Sequence, residues 1–272
     1  MQQCPSLLKE CQLTYSNNGV SQMDRIAFSI LGIDVAWYGL MVATGMLLGV
    51  LLAVRRAKAI GVSDEVVYDI ALWSIPFGVL GARIHYIIFS WSYYSEDIRR
   101  VFQFRQGGLA IHGGIIVGFL VGYLICRKNN VSYPAMVDVA APSMILGQAI
   151  GRWGNYFNQE AYGRPTDLPW AITIDGTGVH PTFFYEFIWN LLVMGWLIYY
   201  TDKKAVDGEV FLHYLIFYSV GRFFIEGLRI DSLMIGPFRT AQVISVLMIV
   251  GGILTIWLLR RSGKNIGLQT KK

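Results

Sequence analysis

The stretch Thr240–Leu259, TAQVISVLMIVGGILTIWLL, runs for about twenty residues without one charged side chain, the length at which a helix crosses a hydrocarbon core. No soluble fold needs such a segment, so its reading decides the class. Two further uncharged runs of similar length, Val35–Val54 and Gln106–Cys126, repeat the pattern. Four more segments are apolar but interrupted: 66–89 by Asp69 and Arg83, 135–157 by Asp138 and Arg152, 181–200 by Glu186, and 210–228 by Arg222 and Glu226. The composition agrees, with 54% hydrophobic and only 15% charged residues. The expectation is an all-α, polytopic membrane protein of about seven transmembrane helices, forming one integral membrane domain over residues 1–272.

The first residues, MQQCPSLLKECQLTYSNNG, have neither the basic start, the apolar run nor the small-residue cleavage site of a removable signal peptide. Cys4, Cys11 and Cys126 are odd in number and lack metal-ligand spacing, so neither a disulfide framework nor a metal site is expected. Lysines and arginines of short loops gather on the cytoplasmic side. With the N-terminus outside, twelve fall inside, in RRAK, RKNN, DKK and the tail from Arg260 to Lys272. Seven fall outside: Lys9, Arg25, Arg99, Arg100, Arg105, Arg164 and Arg229. That bias predicts an outer N-terminus and a cytoplasmic C-terminus. The net charge of +5 then suits anionic headgroups of the lipid bilayer, and no nucleic acid is needed to explain it.

An ionisable side chain within a span is costly unless it is paired, snorkels or lines a wet cavity, which makes each one a functional candidate. In this topology Arg152, Arg222, Arg83 and His112 all come near the outer ends of their helices, so four spans direct a donor or base to one level. Bland alternatives exist for each. Arg83 can snorkel to the headgroups. Arg222 and Glu226, four apart, can form a pair on one helix face. Asp138 and Glu186 can be pairing or interfacial residues. The glycines of GGLAIHGGIIVG around His112 suit either close approach by a headgroup or tight helix packing.

Arginine matches phosphate best, because its planar fork donates two parallel hydrogen bonds and keeps its charge. An arginine-lined cavity at the outer leaflet therefore points to a phospholipid headgroup. GRWGNYFNQE, residues 151–160, reads as a headgroup loop, with Arg152 for phosphate, Asn155 and Asn158 for hydroxyls or ester carbonyls, and Glu160 for a hydroxyl or a neighbouring arginine. A transporter or flippase for an anionic lipid or solute would carry similar groups.

These elements together resemble the bacterial prolipoprotein diacylglyceryl transferases. The resemblance spans nearly the whole chain: AWYGLM with Tyr38, GARIHY with Arg83, IHGG with His112, GRWGNYFNQEAYGRPT, HPTFFYE with Glu186, and GRFFIEGLR with Arg222, Glu226 and Arg229. Ile111 and Tyr156 stand where the family often has Phe, and the segment between the fourth and fifth spans is short. The resemblance implies an enzyme of the bacterial cell membrane that faces outward. It would transfer the sn-1,2-diacylglyceryl group of phosphatidylglycerol to the signal-peptide cysteine of a prolipoprotein, without a cofactor. It implies His112, Arg152 and Arg222 as catalytic residues. Tyr38, Arg83, Asn155, Asn158, Glu160, Glu226 and Arg229 would then bind the headgroup or hold the arginines in place.

Overall fold

The computed structural model describes residues 25–30, 32–103 and 107–262. Cys4, Cys11, Lys9, Arg105 and the basic tail beyond 262 lie outside them, with the expectations attached to them. Among the described residues seven long helices form: α1 (Trp37–Ala59), α2 (Asp64–Phe89), α3 (Ile111–Lys128), α4 (Tyr133–Asn158), α5 (Thr182–Thr201), α6 (Glu209–Glu226) and α7 (Thr240–Arg261). A single-turn helix, Trp91–Ser95, and a 3-10 turn, Ile98–Phe102, follow α2.

The chain is mostly helical, and among the described residues three short antiparallel hairpins join or precede the helices. They are β1 (Ile26–Ile30) with β2 (Ile33–Ala36), β3 (Ile172–Ile174) with β4 (Thr177–Val179), and β5 (Met234–Ile235) with β6 (Phe238–Arg239). The first and third run expected for spans also start late. Val35 belongs to β2, and α3 starts only at Ile111 because Gly107 and Gly108 hold φ of +84° and +78°, outside the right-handed helix.

Five of the long helices, α1, α2, α3, α5 and α7, are long and apolar enough to cross a membrane. They display large apolar side chains outward, Leu47, Leu72, Leu120, Leu192 and Leu247 among them, each more than half exposed. The other two are the inner ones. No residue of α4 is exposed, and α6 exposes only Phe224. A helix enclosed by other helices is free to carry Asp138, Arg152, Glu209, Arg222 and Glu226, since protein partners rather than lipid surround them.

Consecutive helices run in opposite directions, which gives the bundle two ends. At one, Arg56 of α1 donates to Thr201 of α5, Lys204 pairs with Asp138 at 2.9 Å and with Asp207 at 2.8 Å, and Arg260 of α7 pairs with Glu209 of α6. Asp138 also accepts from the backbone N–H of Gly208 and Phe211, both at 2.9 Å. Asp138 is thus a structural pairing residue. At the other end Trp37 stacks on Phe157 at 4.8 Å, and the termini of α4, α5 and α6 meet.

With lipid tails as apolar as leucine, close backbone approach carries much of the packing between such helices. A Cβ on Gly113 would stand 2.3 Å from the Gly81 carbonyl, and one on Gly45 3.0 Å from that of Gly147. The glycines that follow His112 therefore serve the α2–α3 contact. Gly108 instead makes room for a side chain, since a Cβ there would lie 2.5 Å from Arg83 Nη1.

Candidate functional site: a buried arginine and glutamate cluster

Where α4, α5 and α6 meet, a single carboxylate stands between two arginines. Arg152 Nε lies 2.7 Å from Glu186 Oε2, and Arg222 Nη1 donates to Glu186 Oε1 at 2.8 Å. The second arm of Arg222 reaches Glu226 Oε2 at 2.8 Å, which makes the i,i+4 pair foreseen from spacing a fact of the structure. Arg229 approaches Glu226 at 3.9 Å and forks onto Asp231, at 2.9 Å from Nε and 2.8 Å from Nη2. That fork holds the Asp231 carboxyl below the usual carboxylate range. Glu186 and Glu226 are 4% and 3% exposed, so the two carboxylates of the cluster are buried, while the Arg152 and Arg222 side chains are 20% and 21% exposed.

Local sequence explains how the groups arrive there. Ser132 caps α4, its hydroxyl accepting from the Ala135 N–H, and the helix then runs through the GRWGNYFN stretch to Asn158. Residues 151–158 are thus the last two turns of a helix, a correction to their reading as a loop. Helical spacing sets Arg152 Nη1 3.5 Å from Asn155 Oδ1. The chain reverses at once, with Gln159 at φ +52° and Ala161 at φ +58°, a left-handed backbone that side chains other than glycine seldom adopt. Asn155 and Asn158 donate to Glu160 Oε1 at 2.9 and 3.2 Å, so Glu160 takes two amides rather than an arginine. Thr182, in the first turn of α5, donates to the Ala161 carbonyl, and Arg164 N–H to that of Leu228 at 2.9 Å, so the reversed segment is tied to both neighbouring helix ends. Tyr38 lies against Gly154, its ring where a Cβ would be.

Arg83 and His112 form a second group, between α2 and α3. Arg83 is 3% exposed and gives its donors to the carbonyls of Arg100, Val101, Gly107 and Gly108, at 2.6 to 3.1 Å. It does not snorkel; it fastens the segment that leads into α3. His112, in the first turn of α3, has His85 of α2 for a neighbour, the ring centroids 6.2 Å apart. His112 therefore has a second histidine at hand. His85 Nδ1 is buried without a hydrogen-bond partner among the described residues. Below this group an apolar groove of about 480 Å³ runs between α2, α3 and α4, lined by Gly78, Ile115, Gly118, Tyr133, Met136 and Met144 among others.

Sequence reasoning named Glu186 as a pairing or interfacial residue and gave it no site role, yet it stands at the centre. Its partners sit on other helices, 34 positions before it and 36 after it, and no local spacing announces them. The signals were a lone acid in an apolar run and its place in HPTFFYE.

The sequence model of the family described as prolipoprotein diacylglyceryl transferase matches residues 25–258. Curated relatives agree in name. A protein of Clostridioides difficile is 49% identical over 243 residues, 89% of this chain and 98% of its own length. One of Finegoldia magna is 48% identical over 233 residues, 85% of this chain and 94% of its own. One of Bacillus cereus is 43% identical over 257 residues, 90% and 95%. Each is called phosphatidylglycerol–prolipoprotein diacylglyceryl transferase.

Proposed function

Because the chain belongs to the prolipoprotein diacylglyceryl transferase family, we propose that the Arg152–Glu186–Arg222 cluster is where it performs that family's reaction. The protein is a transferase of the first step of lipoprotein maturation. Its substrates are phosphatidylglycerol and a prolipoprotein, and the acceptor is the cysteine thiol of the signal peptide. The products are a thioether and glycerol phosphate. All seven long helices cross the bacterial cell membrane as one domain, with the N-terminus outside, the C-terminus in the cytoplasm and the cluster toward the outer face. The basic residues gathered at the opposite end favour that orientation.

The single observation that carries this reading is the convergence of two arginine forks, from α4 and α6, on one buried carboxylate. Arginines already held by a carboxylate are placed to hold another oxyanion, and phosphate has the matching geometry. In the reaction the thiol sulfur attacks the glycerol carbon and the C–O bond to phosphate breaks. The leaving oxygen gains charge as it departs, and fixed cations stabilise it. An ordinary thiol, with a pKa near ~8.5, is mainly neutral at pH 7 and needs a base. His112, with His85 beside it, fills that role. Asn155, Asn158 and Glu160 offer hydrogen bonds to the headgroup glycerol, and Tyr38 packs over the helix end that carries them. Glu226 and Arg229 fix the direction of Arg222, and Arg83 fixes the approach to His112. The apolar groove suits an acyl chain. A transporter would also gather arginines at a cavity, but the transferase names of the relatives speak against it.

The test is covalent. Purified protein, phosphatidylglycerol and a signal peptide with its cysteine are incubated, and the peptide is weighed by mass spectrometry. The expected result is a gain of one diacylglyceryl unit; an unchanged peptide contradicts the reading.

A further inference from the structure

The charges of the cluster already cancel. Arg152 and Arg222 bring two positive charges, Glu186 and Glu226 two negative, and all four side chains are at most 21% exposed. The charged groups around Glu186 are Arg152 from α4, Arg222 and Glu226 from α6, and, past the end of α6, Arg229, answered by Asp231, and Arg239, which donates to the backbone carbonyl of Glu226. A phosphodiester that takes the two arginine forks leaves the buried Glu186 carboxylate without its counter-charges. A buried charge without a counter-charge is strongly disfavoured, and neutralisation by a proton is the usual escape.

Direction matters as well as distance. Glu186 Oε2 and Glu226 Oε2 are both buried without a hydrogen-bond partner among the described residues, although Arg152 Nε and Arg222 Nη2 lie 2.7 and 2.8 Å from them. Each pair is close but poorly aligned, and a lone pair of each oxygen stays open. Glu186 is also the carboxylate both arginines share, so it loses both partners when their forks turn to a phosphate. Glu226 keeps Arg229 nearby.

We propose that Glu186 is a further catalytic residue: it takes up one proton when the phosphate of the lipid displaces it from Arg152 and Arg222, and passes that proton to the departing phosphate. The inference rests on the reading of the cluster as the phosphate site. In the transfer step the C–S bond forms and the C–O bond breaks. The electron pair of the C–O bond stays on the phosphate oxygen, and Glu186 gives that oxygen its proton. The thiol proton goes to the base and from there to water. Glu186, charged again, re-forms its pairs with the two arginines, and the product phosphate has lost its clamp.

Lipid binding in the absence of peptide tests this directly. The full chain in detergent is titrated with short-chain phosphatidylglycerol by calorimetry at about pH 7, in buffers of different ionisation heat, and an uptake of about one proton per lipid is expected. The infrared difference spectrum of the same titration should gain a protonated-carboxyl band. Glu186→Gln should bind the lipid without uptake or band. Diacylglycerol, which has no phosphate, should cause neither. Lipid binding to the native protein without uptake or band overturns the inference alone, as does equal uptake with diacylglycerol. No binding of phosphatidylglycerol overturns the phosphate-site reading and the inference with it. Should Glu186→Gln fail to fold, the native slope and band still decide.

Discussion

Arg152 and Arg222 meet their common carboxylate with different atoms, Nε in one case and Nη1 in the other, so a phosphate that displaces Glu186 is met by both arginines. Replacing either with Ala is expected to lower kcat/KM by about 10²–10³-fold or more, as the loss of a fixed transition-state donor does, while the protein remains in the membrane. Lys should restore little, because an ammonium cannot reproduce the fork; near-normal turnover by Arg152→Lys would count against two-point phosphate binding there. For His112→Ala a fall of roughly 10²–10⁴-fold is expected if the imidazole takes the thiol proton. Raising the pH toward about 9, past the pKa of a free thiol, should then restore much of the rate, since the thiolate forms unaided. A variant that still binds phosphatidylglycerol but stays inactive at that pH leaves His112 a positioning role. Arg229 and Asp231 make a smaller claim. The Asp231 carboxyl is held down by the Arg229 fork, so the pair stabilises the folded state above about pH 4 and the benefit fades as the pH falls through the lowered value. The gap in thermal midpoint between native protein and Asp231→Asn should narrow on acidification.

Among the elements, the α2–α3 pair depends on bare backbone contact and the α4–α6 pair on enclosure. Gly113→Ala puts a Cβ 2.3 Å from the Gly81 carbonyl, and neither backbone can yield without moving its helix. A loss of about 1–3 kcal/mol, the usual cost of overpacking, is expected in thermal unfolding in detergent, together with lower activity because His112 is the preceding residue. An unchanged midpoint would mean that the helices stand further apart than described. At this scale much of the fold was legible. The uncharged runs and the four interrupted ones each correspond to a long helix, since an apolar stretch of that length has few other uses. The three hairpins were not, because strands of two to five residues are too short for alternation to stand out. Nor was the late start of α3, which two left-handed glycines decide.

For the whole molecule, the candidate site divides into what neighbours in sequence reveal and what only folding brings together. Arg152 with Asn155, and Arg222 with Glu226, follow from helical spacing and could be read in advance. Glu186 between the two arginines, and His85 beside His112, depend on how separate helices meet, so motifs could name the residues but not the partnership. Arg83 illustrates the converse: a charge that spacing alone lets snorkel is buried among four carbonyls, because the segment before α3 folds over it. Orientation is the remaining large-scale claim. A cysteine in place of Thr166, beyond the cluster, should react with a membrane-impermeant thiol reagent from the outer side, and one in place of Asn130 should not; the reverse pattern would invert the protein.

The central claim, a diacylglyceryl transfer at an arginine cluster on the outer face, is tested most directly in sealed phosphatidylglycerol vesicles with the protein in known orientation. A water-soluble cysteine peptide is supplied on one side only and its mass followed. The account predicts a gain of one diacylglyceryl unit when the peptide is on the side where residue 166 is labelled, and none with Arg152→Ala. A gain only from the side of residue 130, or an undiminished gain with Arg152→Ala, would contradict it.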